Sequence, residues 1–384
     1  MSRLQGAVLG LLALFSLAFP ARAQLFETKA AQAFMIDAET GSVLFSKNPD
    51  DVMPPASLAK LMTAELVFDA LKSGRLSFTD TFPVSEHAWR TGGAPSGTAT
   101  MFAAVNSSVP LEALVQGIIV HQANDACIIV AESMAGSEQT FAARMTERAR
   151  ALGLEKSTFV NPTGLPAEGQ QVTVREVALL SQHLWREYPE YYRYYAQPEF
   201  EWNRIRQRNR NPLLRLNMGA DGLATGFTEG VGYAIAASAE RQGSRLFAAL
   251  GGIPTEEERV EETRKILEWG FDAFEQREIF AAGELVGEAY VYGGEKGTVA
   301  LRAEGPLSAL LPVADSEHVS ARVVYEGPVS APVEEGAPVG RLEIRIGDMV
   351  SRQVPLYAAE TVGRGTLHQR ALDAARELLV GWMR

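Results

Sequence analysis

A pair of prolines fixes where this chain can begin its most apolar helix. Pro54 and Pro55 lack backbone donors, so they are tolerated just ahead of a helix and not inside one. From Ala56 to Lys72 a broad apolar stripe follows, made of Leu58, Leu61, Met62, Leu66, Phe68 and Leu71. That spacing predicts a buried helix starting near Ala56. It sets Ser57 in the first turn and Lys60 one turn later on the same face. A serine hydroxyl becomes nucleophilic when a base takes its proton, and a lysine held neutral can be that base. Desolvation and the positive end of the helix dipole both drive the Lys60 pKa down. About one Ser-x-x-Lys spacing is expected by chance in such a chain. Only seven lysines occur here, however, and Lys60 alone has a serine three residues before it. The plain alternative is an ordinary helix start with a solvated lysine.

A chain of 384 residues has room for two or three domains, each with its own core. The net charge of −11 argues against nucleic acid as a partner. The first 23 residues read as an export signal: Arg3, an apolar run from Gly6 to Phe19, and the Ala21-Arg22-Ala23 cleavage pattern. The alternative is an uncleaved anchor. Cys127 is the only cysteine, so no intrachain disulfide can form. There is no His-Glu-x-x-His, cysteine cluster or acidic metal loop, so neither metal nor cofactor is expected. Of the five histidines only His121 lies near a candidate motif, and it reads as structural.

In order, Ala30 to Asp37 and Ser42 to Phe45 predict a hairpin turned by Glu39-Thr40-Gly41. Gly92 to Thr100 is a loop whose Ser96 misses the Gly-x-Ser-x-Gly elbow, which argues against an ordinary α/β-hydrolase. Leu111 to Met134 is helical in character and broken at His121 to Asp125; Glu138 to Ala151 and Val174 to Glu187 are amphipathic helices. Five tyrosines crowd Tyr188 to Tyr195, beside Arg206, Arg208 and Arg210; packing is the expected reason. Asp221 to Phe227, Val231 to Ala239 and Arg245 to Leu250 predict antiparallel strands. Thr255-Glu256-Glu257-Glu258 is a capping box for a helix running to about Phe274, with Phe274 on its apolar face.

From Glu284 the pattern turns to short alternating strands such as Val319 to Tyr325 and Leu342 to Ile346. The expected layout is a signal at 1–23, a main domain at 24–280, an all-β domain at 281–360 and an amphipathic helix at 361–384. Leu367, Ala371, Ala375, Leu378, Leu379 and Trp382 form the apolar side of that helix. Arg370, Arg376 and Arg384 can face anionic headgroups, which predicts peripheral membrane contact. Docking on the β domain is the alternative.

Ser57-x-x-Lys60, then Asn124, then Thr225-Gly226 on a strand, resembles the penicillin-recognising serine acyl-transferases. The likeness is nearest to low-molecular-mass penicillin-binding proteins, the exported D-alanyl-D-alanine carboxypeptidases. It runs through Pro54 to Thr63, Asn124 to Cys127, Asp221 to Gly226 and Trp269-Gly270-Phe271. The resemblance implies an α+β transpeptidase-like fold, an antiparallel sheet flanked by helices, plus a small all-β domain. It implies Ser57 as acyl-ester nucleophile, Lys60 as base, and Asn124 bonding the substrate amide or positioning Lys60. Thr225 and Gly226 would line the strand that receives the peptide, and the backbone N–H groups of Ser57 and Phe227 would form the oxyanion hole. Arg259 matches a family arginine that helps hold the substrate carboxylate. The implied partners are the peptidoglycan pentapeptide stem as substrate and β-lactam antibiotics as covalent inhibitors.

Two positions depart from the family pattern. Gln122 stands where the second motif carries serine, and Ala224 where the third carries lysine. Losing a charged hydrogen bond of about 1.5–3 kcal/mol from the transition state slows kcat/KM roughly 10- to 150-fold. A weakened or redirected enzyme is therefore expected. A non-catalytic peptidoglycan- or partner-binding homologue is the main alternative, and a serine β-lactamase a further one.

Overall fold

The computed structural model describes residues 26–314 and 318–380, with side chains described as far as residue 375. The expected export signal and the terminal Trp382 and Arg384 lie outside the described residues, as do the side chains of Arg376, Leu378 and Leu379.

The first region is built on a five-stranded antiparallel sheet. Its strands are β1 (Gln32–Asp37), β2 (Val43–Lys47), β3 (Ala220–Thr228), β4 (Gly232–Arg241) and β5 (Ser244–Ile253), in the spatial order β2-β1-β5-β4-β3. Alternation along β1 sorts its side chains between two cores. Phe34 and Ile36 join the larger core with the helices, whereas Ala33 and Met35 join a smaller one on the other face. With both faces covered, β1, β4 and β5 are buried almost throughout. β3 is an edge strand.

The larger core is helical. α1 (Lys60–Lys72) runs through it and buries residues on every side. A single turn of 3₁₀ helix, Ala56–Ala59, precedes α1, so Ser57 sits in a tighter first turn than the sequence predicts. Around α1 lie α2 (Leu111–Val120), α3 (Asn124–Ala135), α4 (Glu138–Ala151) and α5 (Val174–Glu187). Glu65 is wholly buried in α1, with its carboxylate met by Arg148 at 2.7 Å, His183 at 3.2 Å and the Tyr188 hydroxyl at 3.1 Å. A buried charge survives only when paired in this way. Tyr188, Tyr192, Tyr194 and Tyr195 are buried in the same core, so packing accounts for the tyrosine-rich segment.

On the opposite face of the sheet lies α6 (Glu256–Asp272). The N-cap half of its predicted capping box forms, with Thr255 Oγ1 accepting from the Glu258 N–H at 3.1 Å, while the Glu258 carboxylate pairs with Lys29 instead of reaching back to Thr255. The helix stops short of the expected end, however. Phe274 belongs instead to strand Phe274–Phe280, because it is drawn into antiparallel register opposite Pro312. A Cβ at Gly270 would lie 2.6 Å from the Met35 methyl, so glycine sets how closely α6 approaches β1. Trp269 then packs with Phe26, Phe45 and Phe274.

The second region is all β. A six-stranded sheet orders Val319–Tyr325, Pro338–Ile346, Met349–Ala358, Thr298–Arg302, Leu285–Tyr292 and Val329–Ser330 around its own core. Phe274–Phe280 pairs with Leu307–Pro312, so strand pairing into this region starts ahead of residue 281. Ser351 Oγ donates to the Val43 carbonyl at 3.0 Å and joins the two regions. The last helix, α7 (Leu367–Val380), is held by Asp373, which accepts from the Gly293 N–H at 2.8 Å and the Tyr290 hydroxyl at 3.3 Å. Its Leu367 and Leu372 remain 80% and 72% exposed.

Candidate active site

Ser57 and Lys60 meet as the helix start predicts. Lys60 Nζ lies 3.0 Å from Ser57 Oγ and 2.5 Å from the Thr163 carbonyl oxygen. Lys60 as a whole is 3% exposed. Burial pushes its pKa down to about 8, and the nearby Arg210 charge acts in the same direction. In its charged form Lys60 donates to both Ser57 Oγ and the Thr163 carbonyl; once neutral it can keep the bond to Thr163 and accept the Ser57 proton on its lone pair. The arrangement can therefore take a proton from Ser57.

The Thr163 carbonyl is held there by a local turn. Asn161 Oδ1 accepts from the N–H groups of Thr163 at 3.2 Å and Gly164 at 2.8 Å, an Asx turn. One helical turn beyond Lys60, Thr63 Oγ1 donates to the neighbouring Pro162 carbonyl at 2.7 Å. Gly164 has a φ of 81°, and a Cβ there would stand 1.6 Å from the Ala56 carbonyl oxygen. Only glycine lets this loop close over the nucleophile turn. The residue before the nucleophile is itself strained, Ala56 having a φ of 46°.

Asn124 opens α3 and is buried. Its Nδ2 donates to Thr98 Oγ1 at 3.0 Å, while Oδ1 is buried without a hydrogen-bond partner among the described residues. The described hydrogen-bond partners of Lys60 are Ser57 and Thr163, so no hydrogen bond joins Asn124 to the amine among the described residues. The loop that carries Thr98 is anchored by Asp125. That carboxylate accepts from the N–H groups of Met101 and Ala103 and from Thr100 Oγ1, at 2.9, 3.1 and 2.6 Å. Beneath lies Cys127, whose thiol burial pushes up to about 12, too high to react.

The opposite wall is the free edge of β3. Gly226 lies against the nucleophile turn, where an added Cβ would be 3.0 Å from the Ala56 Cβ and 3.6 Å from the Ser57 nitrogen. Thr225 is buried, while Phe227 is half-exposed and packs its ring on Tyr233 at 4.6 Å. The two substituted motif positions are both here. Ala224 is 4% exposed and lines a small cavity with Lys60, Ile118, Gln122 and Tyr195. Gln122, held at a φ of 56° in the turn between α2 and α3, faces the backbone of Thr225. The carboxamide orientation that pairs donor with acceptor gives two bonds. Nitrogen donates to the Thr225 carbonyl at 2.9 Å and oxygen accepts from the Thr225 N–H at 2.8 Å.

Arg259 stands farther back. It is buried on α6, paired with Glu256 at 2.7 Å and stacked on the Tyr233 ring at 5.4 Å. The structure thus ties it to Phe227 through Tyr233 and not directly to Ser57 or Lys60. Arg210, passed over in the sequence as one of a basic run, is the cation whose charge reaches Lys60 and His121. His121 is half-buried with Nδ1 3.4 Å from the Arg208 carbonyl, a structural position.

A Ser–Lys pair at a helix start, facing the free edge of an antiparallel sheet, defines the penicillin-binding, transpeptidase-like class of fold. Residues 19–253 match the family model described as D-alanyl-D-alanine carboxypeptidase. Residues 274–364 match that described as penicillin-binding protein 5, C-terminal domain. The chain belongs to the D-alanyl-D-alanine carboxypeptidase family. It is 36% identical to D-alanyl-D-alanine carboxypeptidase DacC of Escherichia coli over 342 residues, 88% of this chain and 86% of that one. Penicillin binding protein 5 from Haemophilus influenzae superposes with a TM-score of 0.74 at 32% identity, covering 88% of this chain and 99% of that one. Penicillin-binding protein D2 from Listeria monocytogenes, in its ampicillin-bound form, gives a TM-score of 0.56 at 30% identity over 65% of this chain and 100% of that one.

Proposed function

We propose that this protein is a serine-type carboxypeptidase that removes the terminal D-alanine from peptidoglycan pentapeptide stems. The observation that carries the reading is the buried Lys60 amine 3.0 Å from Ser57 Oγ, oriented by the Thr163 carbonyl. In the proposed reaction the Ser57 proton passes to Lys60 as Oγ bonds to the carbonyl carbon between the two D-alanines. The oxyanion is held by the N–H groups of Ser57 and Phe227. Lys60 returns the proton to the leaving amine as the C–N bond breaks, freeing D-alanine and leaving an ester on Ser57. Water then cleaves the ester. Asn124 offers its unpartnered Oδ1 to a substrate N–H. Phe227 offers the receiving backbone groups, and Thr225 and Gly226 line the same strand beside it. Arg210 and Arg259 are the cations left to attract the substrate carboxylate now that Ala224 replaces lysine.

β-Lactams are proposed as covalent inhibitors at Ser57; the ampicillin-bound relative supports this. A non-catalytic binding homologue is the second reading, favoured by the changes at Gln122 and Ala224. Intact-mass measurement after exposure to a labelled penicillin separates the two, alongside D-alanine release from a pentapeptide. An adduct and released D-alanine are expected. No adduct at high penicillin concentration sinks the enzyme reading. A β-lactamase would require a group that drives water onto the ester. The loop after Asn161 instead gives Lys60 a main-chain carbonyl.

The proposed layout remains 24–280, 281–360 and 361–384, with residues 1–23 directing export to the periplasm. Peripheral contact with the outer face of the inner membrane is proposed for α7, whose Leu367, Ala371, Leu372 and Ala375 are exposed. No described helix is long and apolar enough to cross a membrane. Flotation with anionic vesicles, with and without residues 367–384, tests it; equal flotation would exclude the helix as the anchor.

A further inference from the structure

The outer edge of β3 is closed at one end and open at the other. At Thr225, Gln122 satisfies both backbone groups that face away from β4, as one residue of a neighbouring strand would. Since outward-facing groups recur every second residue, the next such position is Phe227. Beyond it the edge leads into a groove lined by Pro54, Gly164, Pro166, Gln170, Phe227 and Thr228. A peptide lying on this edge can pair at Phe227 and continue into that groove. In the other direction it meets the Gln122 carboxamide, already bonded, with Ala224 and Tyr195 closed up behind it.

We propose that Gln122 is a specificity-determining residue that caps the β3 edge and limits the enzyme to substrates ending at the residue released. The inference rests on the carboxypeptidase reading, since the scissile bond must lie beside Ser57 with the acyl part in the open groove. A peptide that carries on past the leaving residue, as in a cross-linked stem, has to displace Gln122 from Thr225. Leaving Gln122 in place costs nothing to a substrate that terminates there with a free carboxylate. The cap also holds the turn between α2 and α3 against β3, a task that the changed pair at Gln122 and Ala224 no longer performs through a lysine.

The test compares wild type with Gln122→Ala, which removes the cap, and Gln122→Met, which keeps its bulk without its bonds. For each, kcat/KM is measured on a peptide ending in D-Ala-D-Ala and on the same peptide extended by one residue. Gln122→Ala is expected to raise the extended-to-free ratio about tenfold, the scale of one or two neutral hydrogen bonds. An unchanged ratio overturns the proposal. Amide hydrogen exchange gives a readout independent of turnover. Exchange at the Thr225 N–H should accelerate about tenfold or more in Gln122→Met while that at Gly226, which faces β4, holds steady. Equal exchange in both proteins overturns the cap. Labelled-penicillin adduct and D-alanine release in wild type keep the two readings apart. If both are seen and the ratio does not move, only the role of Gln122 fails; if neither is seen, the carboxypeptidase reading fails and takes this one with it.

Discussion

The two walls of the cleft have fared differently. The nucleophile wall holds Ser57, Lys60 and the Thr163 carbonyl in contact, with Gly164 shaped to let them meet. The strand wall has exchanged two side chains of its family pattern, and a neutral carboxamide at Gln122 now sits against the Thr225 backbone. The comparison teaches that the two tasks are separable. Covalent chemistry needs a hydroxyl with a base beside it, and Ser57 and Lys60 keep that contact. Recognition of a carboxylate needs fixed positive charge, and at Ala224 the strand wall offers none. Arg210 lies close enough for its charge to act on Lys60, while Arg259 is held on α6 against the Tyr233 ring.

The largest effect should come from the nucleophile. Ser57→Ala is expected to abolish the penicillin adduct by mass measurement and lower D-alanine release by about 10⁴-fold or more. A retained adduct would place the chemistry on another residue. Lys60→Met should lower the rate of adduct formation by about 10²- to 10⁴-fold, the range of a lost general base. A loss under tenfold would mean that the walls are less distinct than the geometry says.

The strand wall should respond to repair. Ala224→Lys alone is expected to bring no gain, because the new side chain enters a small cavity already bounded by Gln122, Ile118 and Tyr195. Combined with Gln122→Ser, which vacates that space, it should raise kcat/KM on the free-carboxylate peptide by roughly 10- to 150-fold. An unmoved rate in the double variant would show that the missing lysine is no handicap.

The smallest effect is a displacement along the pH axis. Lys60 acts as a base only when neutral, and its pKa is lowered to about 8 by burial. Acylation by penicillin should therefore rise with pH, about tenfold per unit below 8, and level off above it. The Arg210 charge contributes to that lowering, so Arg210→Ala should carry the inflection to higher pH. A shift to lower pH, or none, would remove Arg210 from the electrostatics of the site.

Much of the fold was legible because its signals are local. The N-cap at Thr255, the break between α2 and α3, and the three glycine-bounded strands after Asp221 each rest on a handful of neighbouring residues. The apolar spacing of Phe274 fits a helix end and a strand start equally well. Its partner Pro312, far along the chain, made the choice. Arg259 lies behind Tyr233 for the same reason: its position depends on how α6 packs on the sheet.

By itself the sequence determined which groups are available: a serine and a lysine one turn apart after two prolines, an asparagine at a helix start, and a strand with no motif lysine. Those are matters of residue type and spacing, which short-range sterics and hydrogen bonding govern. Tertiary structure alone decided that a main-chain carbonyl 103 residues away orients the amine and that Gln122 pairs with a strand edge. Every residue but proline carries the same backbone donor and acceptor, so only the folded chain can say which of them meet.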